Sequence, residues 1–486
     1  MNAKHNRLRQ QAIRKKASHQ DAISFFNLLT SPELFQTLES LLPDHRERLF
    51  PPTETLAMFL SQALHTDRSC QRAVNEAAIT RLLAGMKPCS TFTGGYCRAR
   101  QRLPVAMISS LVRLTGTLVD AHVPDDWLWQ GRPVRIVDGT TVTLPDTPAN
   151  QAAYPQQCSQ KVGLGFPISR IVGITCLASG VVTNAAMGPY KGKGGSEHAL
   201  LRSLLPDLNR GDVLLGDALY GSYFVLAECI RRGIDIVFEQ NSGRKRVADF
   251  RRGKRLGTKD HLVKIPKPRQ RPDWMSEEQF EAFPAEIVIR EISMGEKILI
   301  TTLKNPAEAS REALKALYRS RWNVELDIRN IKTTLGMETL ACKTPEMAEK
   351  EMWVYFLAYN LIRILMAQSA ALSDVLPRML SFKHTLQLWH AWSREMTRGY
   401  TSDDLMEFFH LVSQNRVGTR PGRIEPRAVK KTTQAAATAD VSQARSTGSH
   451  TSARSSTQAA GKESVSSVSK CHSGMTPGLF LQIASR

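Results

Sequence analysis

Residues 133–240 constrain the fold more than any other stretch. Three successive β-branched runs, VRIVDGTTVTL, ISRIVGITCLAS and VVTNAAMG, give way to DVLLGDAL and IDIVFEQ, which alternate with the helix-like SEHALLRSLL and SYFVLAECIRRG. Three strands followed by alternating helix and strand indicate a mixed α/β sheet. Two of the strands end in a carboxylate. Asp138 follows residues 134–137 and precedes Gly139 and Thr140, and Asp217 follows residues 213–216 and precedes a helix. Either aspartate alone reads as a turn or cap residue. Asp212, at the start of its strand, and Asp146, beside two prolines, are weaker candidates.

A second stretch, residues 318–332 (YRSRWNVELDIRNIK), contains no Gly or Pro and follows the helix-forming run SREALKAL. It spaces Leu317, Val324, Ile328 and Ile331 as one buried helical stripe, so a single helix is expected. At 100° per residue, Tyr318, Arg321, Glu325 and Lys332 fall in a neighbouring wedge of roughly 60° along about 21 Å. One carboxylate thus stands between two cations. Taken by itself, Arg321 with Glu325 is an ordinary i,i+4 pair on a solvated face.

The spacing Tyr, two residues, Arg, three residues, Glu, six residues, Lys resembles the signature of the insertion-sequence-four family of bacterial DDE transposases. Arg319, Trp322 and LACKTPEMAEKE at residues 340–351 resemble the same family, as do VDGTTVTLPDTPAN and GDVLLGDALYGSY around the two aspartates. The resemblance implies a ribonuclease-H-like core with Asp138, Asp217 and Glu325 as catalytic residues and metal ligands. A set of three carboxylates without His or Cys suits two Mg²⁺ ions, with Mn²⁺ as a substitute. By the same resemblance, Arg321 and Lys332 hold phosphates, Tyr318 touches the same backbone, and Trp322 or Trp274 is a candidate to stack on a flipped base. Packing in the core is the competing role for each tryptophan.

The rest of the chain is organised around this core. Residues 1–125 read as a helical, DNA-binding region, with DAISFFNLLTSPELFQTLESLL and TETLAMFLSQAL as amphipathic helices and Arg98, Arg100 and Arg102 after a Gly-Gly turn. Residues 126–240 begin the core, and 241–305 form a β-rich basic insertion. Residues 306–345 complete the core with the catalytic helix, 346–431 are helical, and 432–486 form a low-complexity tail expected to be disordered. The insertion opens with eight basic residues and one acidic residue between Arg244 and Lys259. Arg251, Arg252, Lys254 and Arg255 are expected to bind DNA phosphates there. YKGKGGSEH, at residues 190–198, lacks Walker A spacing and reads as a turn, with Lys191 and Lys193 as further candidate contacts.

Charge points the same way. The 486 residues carry 65 Lys+Arg against 45 Asp+Glu, a net +20 that favours a polyanion over a small neutral substrate. Eight scattered cysteines without a CxxC suggest reduced thiols in a cytoplasm. The basic N-terminus lacks the apolar core of a secretory signal. The apolar run MWVYFLAYNLIRILMA, interrupted by Asn360 and Arg363, reads as a buried helix and not a membrane span. Because this run carries more apolar surface than one packed helix needs, the helical stretch from Met347 to Val417 is the expected site of protein contacts in a homodimer holding paired transposon ends and target DNA. Two rivals stay open at this level: a ribonuclease-H-like nuclease without strand transfer, and a non-catalytic DNA-binding descendant of a transposase.

Overall fold

The computed structural model describes residues 32–43, 49–157, 159, 161, 163–192, 194–240, 248–395 and 401–417. The tail 432–486, Lys193 and the basic residues Arg244, Lys245 and Arg246 lie outside them. Among the described residues the strands form one nine-stranded sheet in the order β3-β2-β1-β4-β5-β9-β8-β7-β6. Its first half is β1 (Val134–Thr143), β2 (Ile168–Cys176), β3 (Val182–Pro189), β4 (Val213–Gly216) and β5 (Asp235–Glu239). β1, β2 and β3 pair antiparallel, and β4 and β5 run parallel to β1, the strand order of a ribonuclease-H-like core.

The insertion does not stand apart from this sheet. Its strands β6 (Lys254–Gly257), β7 (Asp260–Pro266), β8 (Glu286–Ser293) and β9 (Ile298–Thr301) continue the sheet, because β9 pairs with β5. The join is anchored by a buried Arg290, which clamps Asp260 at 2.5 Å and donates to the Ala309 carbonyl at 2.7 Å. β6 is the outer edge, where Lys254 and Arg255 are exposed, and charged side chains there discourage strand addition.

Helices cover both faces. Before the sheet come α1 (Pro32–Ser40), α2 (Pro52–Leu64), α3 (Cys70–Leu83), α4 (Gly94–Arg102) and α5 (Val105–Ala121). α6 (Glu197–Leu204) and α7 (Tyr223–Arg232) bury Leu200, Leu201, Phe224 and Leu226 against Val137, Val172, Leu214 and Ile236. The alternate residues Val134, Ile136, Val213, Leu215 and Val237 face the other way, onto α8 (Arg311–Arg319) and α9 (Trp322–Arg329). Further along that face α5 lies on β3, and Gly116 permits the approach: a Cβ there would stand 3.0 Å from the Thr183 backbone.

The C-terminal part contains α10 (Pro345–Leu372), α11 (Phe382–Glu395) and α12 (Ser402–Gln414). α10 has Thr344 as its N-cap and is hydrophobic nearly all round, long and apolar enough to cross a membrane by composition alone. It is a core helix, packed against α2, α5, α11, α12 and β3. This corrects the expectation of a protein-contact surface: its surplus apolar area is consumed within the chain. Two of its charged members are satisfied there, Lys350 by the Gln101 carbonyl at 2.8 Å and Glu351 by the Cys342 N–H at 2.9 Å. Of the N-terminal arginines, Arg100 is buried, its guanidinium 4.5 Å from the Phe59 ring centroid, and so belongs to the core.

Candidate active site

Strand periodicity and register bring the two aspartates together. Asp138 shares the parity of Val134 and Ile136, and Asp217 that of Val213 and Leu215, so both project to the face covered by α8 and α9. Val134 pairs with Val213 and Ile136 with Leu215, and the same register carried forward sets Asp138 beside Asp217, just past the end of β4; the expectation that Asp138 ends its strand is corrected, because β1 continues through it to Thr143. Local hydrogen bonds orient both carboxylates. Asp138 accepts from the Gly139 N–H at 2.8 Å, and Asp217 caps the turn Ala218–Tyr220 by accepting from the Leu219 N–H at 2.9 Å. The rivals are structural: buried Asp212 lies 3.3 Å from Arg135, and Asp146 accepts from Gln151 at 2.8 Å.

The third carboxylate arrives on a segment that is not the single regular helix its periodicity suggests. α8 ends at Arg319, the next bonds run i to i−3 (Arg321 to Tyr318, Val324 to Arg321), and α9 begins at Trp322. Beyond α9, Asn330–Thr334 widens into a π-helical turn. The expected stripe is divided accordingly, Leu317 and Val324 packing in one cluster and Ile331 in another. π turns recur at functional sites because they re-aim side chains. Here the turn carries Lys332, which with Asp138, Thr140 and Asp327 lines a crevice of about 30 Å³.

Arg321 is the centre of the cluster. It donates to Glu325 at 3.0 Å and lies 3.8 Å from Asp138, bridging the helix to the middle of β1. Among the described residues, no three His, Cys, Asp or Glu side chains stand close enough to hold one ion as placed. Burial pushes Asp138 up to about 6; the Gly139 N–H and Arg321 oppose this, while Asp217 and Glu197 push further upward.

The remaining expected residues fall in different settings. Tyr318 is buried, and its hydroxyl donates to Glu239 at 2.9 Å. Trp322 and Trp274 are 41% and 46% exposed, which corrects the expectation of core packing, and Trp274 lies under the Arg202 guanidinium at 3.6 Å. Arg251 and Arg252 are exposed and share Asp249, at 2.9 and 3.4 Å.

Three further carboxylates are not among the residues expected from sequence. Glu239 ends β5 with the parity of Val237, in line with Asp138 and Asp217, and is paired with Lys297 at 2.7 Å; its strand-plus-carboxylate pattern is a visible signal. Glu197, at the start of α6, lies against Gly139, and no sequence pattern marks it. Asp327, two residues beyond Glu325, is fully buried and binds Arg363, Arg378 and the Tyr359 hydroxyl.

The arrangement thus sets carboxylates from two strands and a helix near one another on a sheet with the ribonuclease-H-like strand order. Residues 129–361 match the Transposase DDE domain family. The chain is 28% identical over 354 residues to the transposase InsG of insertion sequence element IS4 from Escherichia coli K12, across 70% of this chain and 75% of that protein. It is 29% identical over 139 residues to the E. coli K12 putative transposase InsZ, across 28% of this chain and 45% of that one. A chain of the piggyBac transposase synaptic complex with hairpin DNA overlaps 84% of this chain and 87% of its own length at 11% identity. Its TM-score of 0.40 is too slight to define the fold, which rests on the strand order above. The family match and these relatives together support a DDE transposase of insertion sequences, a DNA transposase.

Proposed function

We propose that this transposase binds the terminal inverted repeats of its element, cuts DNA at the element ends and joins the freed 3′-OH ends to target DNA, with Asp138, Asp217 and Glu325 as the catalytic carboxylates. One juxtaposition carries the reading. Arg321 reaches Glu325 and Asp138 at once while strand register sets Asp217 beside Asp138, so three distant parts of the sequence meet where β4 ends beside the middle of β1. The donor set is all carboxylate oxygen, which suits Mg²⁺ and admits Mn²⁺, and a divalent cation would offset the burial, and the smaller repulsion from Asp217 and Glu197, that raise Asp138. The three carboxylates would hold two such ions, which when bound activate the attacking oxygen and stabilise the leaving one.

The chain's own cations then have defined work. Arg321, released from the carboxylates, and Lys332 hold the phosphates flanking the scissile bond in line, as charge-assisted donors. Tyr318 braces Glu239 beneath them, and half-exposed Trp322 lines the path of the strand. Joining two ends to one target needs two such sites, so two copies of the chain act in the paired-end complex, on DNA in the bacterial cytoplasm.

The test uses duplexes taken from the DNA on either side of the coding region. Asp138→Ala, Asp217→Ala and Glu325→Ala are each expected to abolish cleavage while leaving duplex binding within about twofold, because the basic surface holds DNA and the carboxylates do not. Strong residual cleavage in any one removes that residue from the set. Cleaved 3′ ends that never become joined to target DNA would reduce the activity to that of a nuclease.

A further inference from the structure

Glu197 sits where the two aspartates can both be controlled. It opens α6, where Ser196 caps the helix by accepting from the Ala199 N–H, and its side chain reaches the middle of β1 from the opposite face of the sheet. There it covers Gly139: a methyl group built on Gly139 would overlap the Glu197 carboxylate, so the residue after Asp138 lacks a side chain where Glu197 needs the room. The peptide N–H of this same Gly139 donates to Asp138 at 2.8 Å. On its other side Glu197 accepts from the Tyr220 hydroxyl at 3.2 Å, and Tyr220 closes the short turn that Asp217 caps.

A third partner keeps the carboxylate in place. Arg170 Nε on β2 lies 3.6 Å from Glu197, and the same guanidinium donates to the Gly195 carbonyl at 2.9 Å and stands 4.7 Å from the Tyr190 ring centroid. Arg170 therefore fastens both ends of the glycine-rich loop that delivers Glu197. One carboxylate thereby touches the backbone that orients Asp138 and the side chain that anchors the Asp217 turn.

We infer that Glu197 is a positioning residue for the transposition reaction, setting the relative orientation of Asp138 and Asp217 through Gly139 and Tyr220. It holds no metal and touches no DNA in this role. The inference rests on the assignment of Asp138 and Asp217 to the catalytic set.

Cleavage of the end duplex under single-turnover conditions with Mg²⁺ tests it, read alongside the duplex Kd, the Mg²⁺ half-saturation and the thermal midpoint. Glu197→Ala should slow cleavage at saturating duplex by at least about tenfold, since misorienting reacting groups is costly in rate, and should raise the Mg²⁺ half-saturation with the duplex Kd unchanged. Glu197→Gln should stay within about threefold of wild type, because its amide oxygen still accepts from Tyr220 and its bulk still covers Gly139. Gly139→Ala, which pushes the carboxylate away, should slow the wild type but add nothing to Glu197→Ala.

Wild-type cleavage by Glu197→Ala overturns the inference. So does a Glu197→Gln variant as inactive as Asp138→Ala, which would mark Glu197 as a ligand. If Glu197→Ala does not fold, the Gln variant and Gly139→Ala decide the matter. Asp138→Ala and Asp217→Ala in the same assay separate the two levels: cleavage by these refutes the site, whereas their inactivity beside a fully active Glu197→Ala refutes only the role of Glu197.

Discussion

Asp138 shows how one residue's surroundings set its chemistry. Burial raises its carboxyl to about 6, above its unfolded value, so ionising it costs the native state free energy. For a carboxylate raised on folding, stability falls as pH climbs from the ordinary carboxylate range through about 6, then levels off. Asp138→Asn removes that ionisation. Without divalent metal, the variant should match the wild type near pH 3.5 and exceed it at pH 8 by on the order of 2 to 3 kcal/mol in urea unfolding. Parallel stability curves across that range would mean that Asp138 is not the group responsible. Asp138 was legible as a candidate because it ends a β-branched run; its raised carboxyl was not, since burial, Arg321, Asp217 and Glu197 come from other elements.

At the scale of elements, the segment bearing Glu325 is locked from below by a charge cluster. Asp327 is fully buried and meets Arg363 of α10 and Arg378, and Arg378 also donates to the Cys176 carbonyl that ends β2 and to the Leu177 carbonyl after it. The C-terminal helices thereby fix α9 against the sheet, two residues from Glu325. Asp327→Ala leaves two guanidiniums uncompensated, one of them fully enclosed, and should destabilise the protein by about 3 to 5 kcal/mol, seen as a lower denaturant midpoint at unchanged slope. An unshifted midpoint would show that the pairing is not needed to hold α9. The helical character of residues 318–332 was legible from their apolar spacing. The break before Trp322 and the π turn at Lys332 were not, because they answer to the two clusters that divide the segment's apolar stripe.

Across the whole molecule, the net charge of +20 and the exposed edge at β6 bear on DNA affinity. Arg251 and Arg252 are partly neutralised by Asp249, whereas Lys254 and Arg255 extend from the edge strand. Changing all four to Gln should weaken duplex binding and flatten its salt dependence by up to about one unit of log–log slope for each phosphate no longer neutralised. The Lys254/Arg255 pair should account for more of that change than the Arg251/Arg252 pair. An unaltered salt slope would make the edge a solvated surface with no part in binding.

The sequence alone determined whatever depends on neighbours a few residues away. The β-branched runs marked β1 to β5, the aspartates within or just after them stood out as Asp138 and Asp217, and the apolar spacing around Glu325 marked a helix, because backbone geometry repeats with a fixed local period; that β1 runs on past Asp138 to Thr143 was not legible. Register added the pairing of the aspartates, and that needed the sheet itself. Tertiary structure alone decided which side chains meet across elements. It placed Glu197 over Gly139, set Asp327 between two arginines and joined the insertion's strands to the core sheet. It also enclosed α10 within the chain, so that the apolar surface its sequence advertises is covered by the protein's own helices and β3. Each of these is a meeting of residues far apart in sequence, chosen by packing and charge compensation, which no local periodicity encodes.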